Sequence, residues 1–219
     1  MVDKGELVEM KTFYGTSGFC LVFLSLCMGA PEPALVPSPD VWTVEVTFEH
    51  PRQIVFERGD GKAKRYWYMI VTLTNRSGQD ADFYPRCELM TDGFQLIPAG
   101  RGTPAAVFDL VKKRHGGKYP FLERLEKTDN KILQGEDNAK DLAVIWQDFD
   151  TEAKSIKLFV SGLSNETAVV DHPTAKEVGG EPEKVYLRKT LELSYSLRGD
   201  AALRPSVQLS YEGERWVMR

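Results

Sequence analysis

Cysteine is scarce in this chain, with three among 219 residues. Cys20 and Cys27 fall in an apolar N-terminal run, leaving Cys87 alone in the rest, so a disulfide-stapled scaffold is excluded. Histidine is equally rare. His50, His115 and His172 lie far apart, two of them before a proline, and neither HExxH nor a paired CxxC occurs, so no local zinc motif is present. The serine-hydrolase signatures GxSxG and SxxK followed by KTG are also missing. No charge of one sign dominates. Lys and Arg total 28 against 32 Asp and Glu, a net charge of -4, which lacks the basic excess of a nucleic-acid binder. No apolar run reaches the ~20 residues of a membrane-spanning helix.

What is present begins with Phe19–Ala30, FCLVFLSLCMGA, in which only Ser25 is strongly polar. Its length and its small closing residues, with Pro31 after them, predict a secretory signal over residues 1–30. Asp3, Glu6 and Glu9 before it are wrong for such a signal, whereas a start at Met10 gives a head with Lys11 and no acid. Cys27 opens a rival reading, a lipid attached to that thiol. Leu24 and Ser25 resemble the first positions of a bacterial lipobox, but Leu26 stands where the peptidase needs a small residue. Either way the expectation is export to the periplasm or cell envelope, with the membrane met only through the signal or a lipid anchor.

Residues 31–40, PEPALVPSPD, predict a Pro-rich linker. Residues 41–219 predict one mainly β domain. Val41–Phe48 alternates in the period of two of a half-buried strand. Gln53–Glu57, Arg65–Asn75, Ala81–Tyr84, Cys87–Met90, Phe94–Ile97, Leu142–Trp146, Ser155–Ser161, Val185–Leu197, Ser206–Tyr211 and Arg215–Met218 follow as strands, with turns at Asp60-Gly61, Asn75–Gly78 and Asp92-Gly93. Gly135–Asp141 and residues 162–184 read as loops. A helical insertion is expected over about 103–127, with Thr103 as N-cap, Pro104 at the first helical position, and Gly116 or Gly117 at positive φ as the stop. Pro120 opens a second helical piece.

Tyr66–Pro98, a strand ended by a Thr-Asn turn and followed by a strand with an Asp-Gly hairpin, resembles the immunoglobulin-like β-sandwich modules of bacterial exported proteins. That resemblance rests on 33 of the 189 residues of the expected mature chain. It implies an antiparallel sandwich that binds, spaces or scaffolds, without catalysis. The chain departs from it in having no disulfide pair and in its helical insertion.

Within the strand expected over Arg65–Asn75, Trp67, Met69, Val71 and Leu73 should face the space between sheets, and Tyr66, Tyr68 and Ile70 the outside. Val107, Leu110, Val111 and Phe121 are expected to cover that outer face. If they do not, Tyr66 and Tyr68 become a partner-binding patch. Lys112, Lys113 and Arg114, with His115 and Lys118, crowd the helix end, where cations complement the dipole or meet an anionic partner. Cys87 shares a strand face with Leu89 and reads as core. Glu136, Asp137, Asp141, Asp148, Asp150 and Glu152 read as charged loop edges; paired across a cleft they would serve a carbohydrate-active hydrolase. Arg-Gly-Asp at 58–60 and 198–200 reads as turn chemistry. No catalytic residue, metal or cofactor is assigned; the partner is an envelope protein or glycan, not nucleic acid.

Overall fold

The computed structural model describes residues 32–57, 59, 61–172, 183–199 and 207–219. The export segment, Met10 and Cys27 lie outside the described residues. The chain is mainly β, built from antiparallel sheets, with one α-helix among the described residues.

Strands are numbered in chain order. The expected linker contributes the first, β1 (Ala34–Leu35), which pairs with β11 (Thr167–Asp171). The linker is therefore stitched to a sheet edge: a Pro-spaced extended segment keeps free backbone groups wherever it has no proline, and Val36 N–H donates to the Thr167 carbonyl at 2.9 Å. β11 lies inside the stretch expected to be a loop. β2 (Glu45–Glu57) merges the two strands expected over 41–57, with a bulge between Glu49 and Arg52. Pro51 falls at that bulge, where a missing N–H breaks no ladder bond.

β2 pairs with β3 (Ala63–Asn75), and β3 with β9 (Gly135–Gln147). The expected loop at 135–141 is thus the first half of β9. Its side chains are polar because this end has one solvated face, and pairing with β3 compensates for the missing apolar signal. The short β7 (Glu123–Arg124) adds in parallel to β9, followed by a 3-10 turn at Leu125–Lys127 in place of the second helical piece.

A second sheet holds β5 (Arg86–Thr91), β6 (Leu96–Pro98), β10 (Ser155–Ser161), β12 (Lys184–Leu197) and β13 (Leu209–Met218), with β11 and β1 at one end. β13 joins two expected strands through a bulge. A small pair, β4 (Ala81–Asp82) and β8 (Lys131–Ile132), closes a corner.

The inward residues of both sheets form one hydrophobic cluster, with Trp67, Met69, Val71 and Leu73 meeting Leu158, Val160, Leu191 and Leu193. The assigned inner face of β3 is correct. Its other face lies in a second cluster: Ile54, Tyr66, Tyr68, Ile70, Ala143 and Ile145 under Val107, Val111, Tyr119 and Leu122. The helix α1 (Ala105–His115) supplies the first two of those covering residues. β3 and the second half of β9 are therefore buried on both faces, which is why they read as unbroken apolar runs. Leu110 and Phe121 do not take part. They are 38% and 83% exposed, and Tyr119 and Leu122 fill the places expected of them.

The helix ends also differ from expectation. Pro104 is the N-cap, in extended geometry, and the buried Thr103 hydroxyl caps nothing. Neither Gly116, which is right-handed (φ -58°), nor Gly117 takes positive φ, because the chain continues into tight turns in which Lys118 and Tyr119 N–H both donate to the His115 carbonyl.

Candidate functional site

Burial disposes first of the proposed aromatic patch. Tyr66 and Tyr68 are 2% and 1% exposed beneath the helix, so they offer no surface to a partner. Lys112 and Lys113 are exposed on the helix, while Arg114 reaches back to donate to the Tyr68 hydroxyl at 3.4 Å. Cys87 is buried and unpaired, and burial, then the neighbouring Glu88 charge, pushes its thiol pKa well up, away from thiolate chemistry. Three of the acidic residues are put to local use: Asp148 takes Arg65 at 3.1 Å and the Trp67 indole N–H at 2.8 Å, Asp141 accepts from Thr72 at 2.6 Å, and Glu136 pairs with Arg76 at 2.6 Å. Among the described residues, no three His, Cys, Asp or Glu side chains converge as for a metal.

The basic cluster at the end of α1 belongs to a polar clamp. Glu49 of β2 accepts on Oε1 from Lys118 (2.7 Å) and Tyr119 (2.8 Å), while Arg52 approaches Oε2 at 3.3 Å. Tyr68 Oη lies 2.9 Å from His115 Nε2. Burial pushes the Glu49 carboxyl up, but the hydrogen bonds from Lys118 and Tyr119 outweigh it and hold the pKa below its ordinary value. Burial, assisted by Arg52, Arg114 and Lys118 and opposed by Glu49, holds His115 below its usual pKa. This network fastens the cover to the sheet, since Glu49 and Tyr68 come from β2 and β3 while Lys118, Tyr119, His115 and Arg114 come from the insertion.

The outer face of the second sheet carries a different feature. Just after β10, Gly162 (φ 80°) passes so close to Tyr84 that a Cβ would collide with the Tyr84 carbonyl. Beside this crossing opens a cavity of about 570 Å³ lined by Tyr84, Arg86, Ser161, Arg188, Thr190 and Arg219, among others. A smaller one, about 230 Å³, shares Tyr84, Gly162 and Arg188 with it and is also lined by Trp42, Asp82 and Asn165. Together they make a trough. Its guanidinium groups come from separate strands: Arg86 opposite Ser161 on β5, Arg188 on β12, and Arg219 just past β13, with its backbone paired to that of Arg188. Arg219 stacks on Phe159 at 4.1 Å and pairs with Glu88 at 2.8 Å. Neighbouring Lys157 and Arg215 are both satisfied by the buried Glu192. Arg86 and Arg188, both exposed, have no ion pair within the described residues. Tyr84 is 57% exposed, and Tyr186, on the same face of β12 as Arg188, is 66% exposed.

Sequence reasoning singled out none of Trp42, Tyr84, Arg86, Arg188 and Arg219. They stand up to 177 positions apart in chain number, and only sheet register brings them together. No protein-family model matches the chain, and no curated protein or solved structure is significantly similar to it.

Proposed function

We propose that this chain is an exported cell-envelope protein whose folded part is a non-catalytic binding or scaffolding module of immunoglobulin-like β-sandwich type. Strand order supports the sandwich reading. Counting the main strands in sequence (β2, β3, β5, β6, β9, β10, β12), the first, second and fifth form one sheet. The fourth, third, sixth and seventh form the other, in that order. The grouping of first, second and fifth against third, sixth and seventh is that of immunoglobulin-like sandwiches. The fourth strand departs from the antibody constant-domain pattern by joining the third instead of the first sheet, β13 is an added edge strand, and the helical insertion lies between the fourth and fifth. The observation that carries the binding reading is the trough: an open cavity lined by guanidinium, aromatic and hydroxyl groups and the Glu88 carboxylate on a sheet, with Arg86 and Arg188 in no ion pair among the described residues. Asp148, committed to Arg65 and Trp67, supports structure rather than hydrolysis at that acid.

Export rests on the apolar Phe19–Ala30 run. Fractionation of cells making the full chain tests it: the protein should be in the periplasm or envelope, and deletion of residues 1–30 should leave it in the cytoplasm. Fatty-acid labelling that disappears in Cys27→Ser would identify the lipid-anchored form. A full chain found only in the cytoplasm refutes export.

A further inference from the structure

We infer that the trough binds an acidic oligosaccharide, through guanidinium forks on its carboxylate or sulfate groups and aromatic contact with its sugar rings. The inference rests on the binding-module reading above and adds the ligand class. Three observations converge on it. Arg86 and Arg188 are charged, exposed and on the wall of one cavity, and among the described residues they form no ion pair, whereas Lys157, Arg215 and Arg219 nearby are each held by a carboxylate. A guanidinium left without a partner in a concave site matches a planar or tetrahedral oxyanion, which it meets with two parallel N–H donors.

The second observation is aromatic. Tyr84 at the crossing and Tyr186 along β12 are the most exposed tyrosines of this region, and Trp42 lines the adjoining cavity. Flat amphipathic rings on a rigid sheet suit the apolar faces of pyranose rings. The third is the remaining lining: Ser161, Thr190, Asn165, Asp82 and Glu88 offer donors and acceptors of the kind sugar hydroxyls need. A nucleic acid is disfavoured by the chain's net charge of -4. A lipid surface is disfavoured because the lining is polar where a membrane-seated face would be apolar.

Titration calorimetry of the full chain with three probes tests this: an oligogalacturonate (carboxylated), a heparin-derived oligosaccharide (sulfated) and maltohexaose (neutral). At least one acidic probe should bind, more weakly as salt rises, and the neutral one should bind at least about tenfold more weakly, the factor that one charged contact supplies. Whichever acidic probe binds more tightly identifies carboxylate or sulfate as the preferred anion. Arg86→Ala, Arg188→Ala and Tyr84→Ala should each weaken the acidic complex by about tenfold with unchanged melting curves. The Lys112→Ala/Lys113→Ala variant, which removes equal charge elsewhere, should bind like the wild type. The assignment is overturned if no probe binds, if maltohexaose binds equally, or if the trough variants bind as the wild type does. It is also overturned if the lysine variant loses as much as they do. An exported chain that binds none of the probes overturns this ligand class alone; a cytoplasmic chain that binds them in this pattern overturns export alone.

Discussion

Val111→Ala isolates the contribution of the helical cover. Val111 is fully buried in the second cluster, against β3 and β9 side chains. Truncation removes two buried methyl groups, at roughly 0.8 kcal/mol each for transfer, and leaves a cavity that adds about 1 kcal/mol where the site cannot collapse. Alanine is the better helix former by about 0.5 kcal/mol, which offsets part of that. The net expected loss is roughly 2 kcal/mol, or ~4–8 °C in Tm for a chain of this size. Urea unfolding followed by tryptophan fluorescence measures it, because Trp67 and Trp146 lie in the inter-sheet core and report its loss. Leu110→Ala, one position along the same helix but 38% exposed, should stay within about 0.5 kcal/mol of the wild type. If the two substitutions cost the same, or Val111→Ala costs under 0.5 kcal/mol, the helix does not cover this face and the two-sided burial of β3 is wrong.

The clamp makes stability fall in acid. Both Glu49 and His115 have folded pKa values below their ordinary ones, so the unfolded chain takes up protons first. The His115 share is present above about 6.5 and lost as pH falls below it, and the Glu49 share follows below about 4.5. His115→Gln should flatten the slope of unfolding free energy between pH 7 and 5, and an unchanged slope would remove His115 from the account. Cys87→Ser should cost about 1–3 kcal/mol in chemical denaturation by burying a hydroxyl where an apolar thiol sits, and the native thiol should resist a chromogenic disulfide reagent until the protein unfolds. Rapid labelling of native protein would contradict its burial. Gly162→Ala, at φ 80° and against the Tyr84 carbonyl, should destabilise by roughly 2 kcal/mol or more, whereas Gly117→Ala, with open space around it, should be neutral or slightly stabilising in the same assay.

Periodicity by itself determined the two faces of β3, the inner set from Trp67 to Leu73 and the outer set from Tyr66 to Ile70, because side chains alternate across any strand whatever it packs against. It also determined that an apolar helix between Pro104 and the Gly116-Gly117 pair had to cover something, and that three tyrosine-rich outer positions needed cover. The burial of Cys87 followed likewise from its sharing a face with Leu89. Tertiary structure alone decided the rest. Gly135–Asp141 and Thr167–Asp171 became strands because a polar segment can be held by neighbouring backbone, and that hydrogen bonding leaves no mark on side-chain pattern. Tyr119 and Leu122 replaced Leu110 and Phe121 in the cover because the turns after His115 set which side faces the sheet, a rotation that no count of residues fixes. The trough is the extreme case: Tyr84 and Arg86 are close in the chain, but Arg188 and Arg219 are remote from them and from each other, and all meet only because antiparallel register lays β5, β10, β12 and β13 side by side.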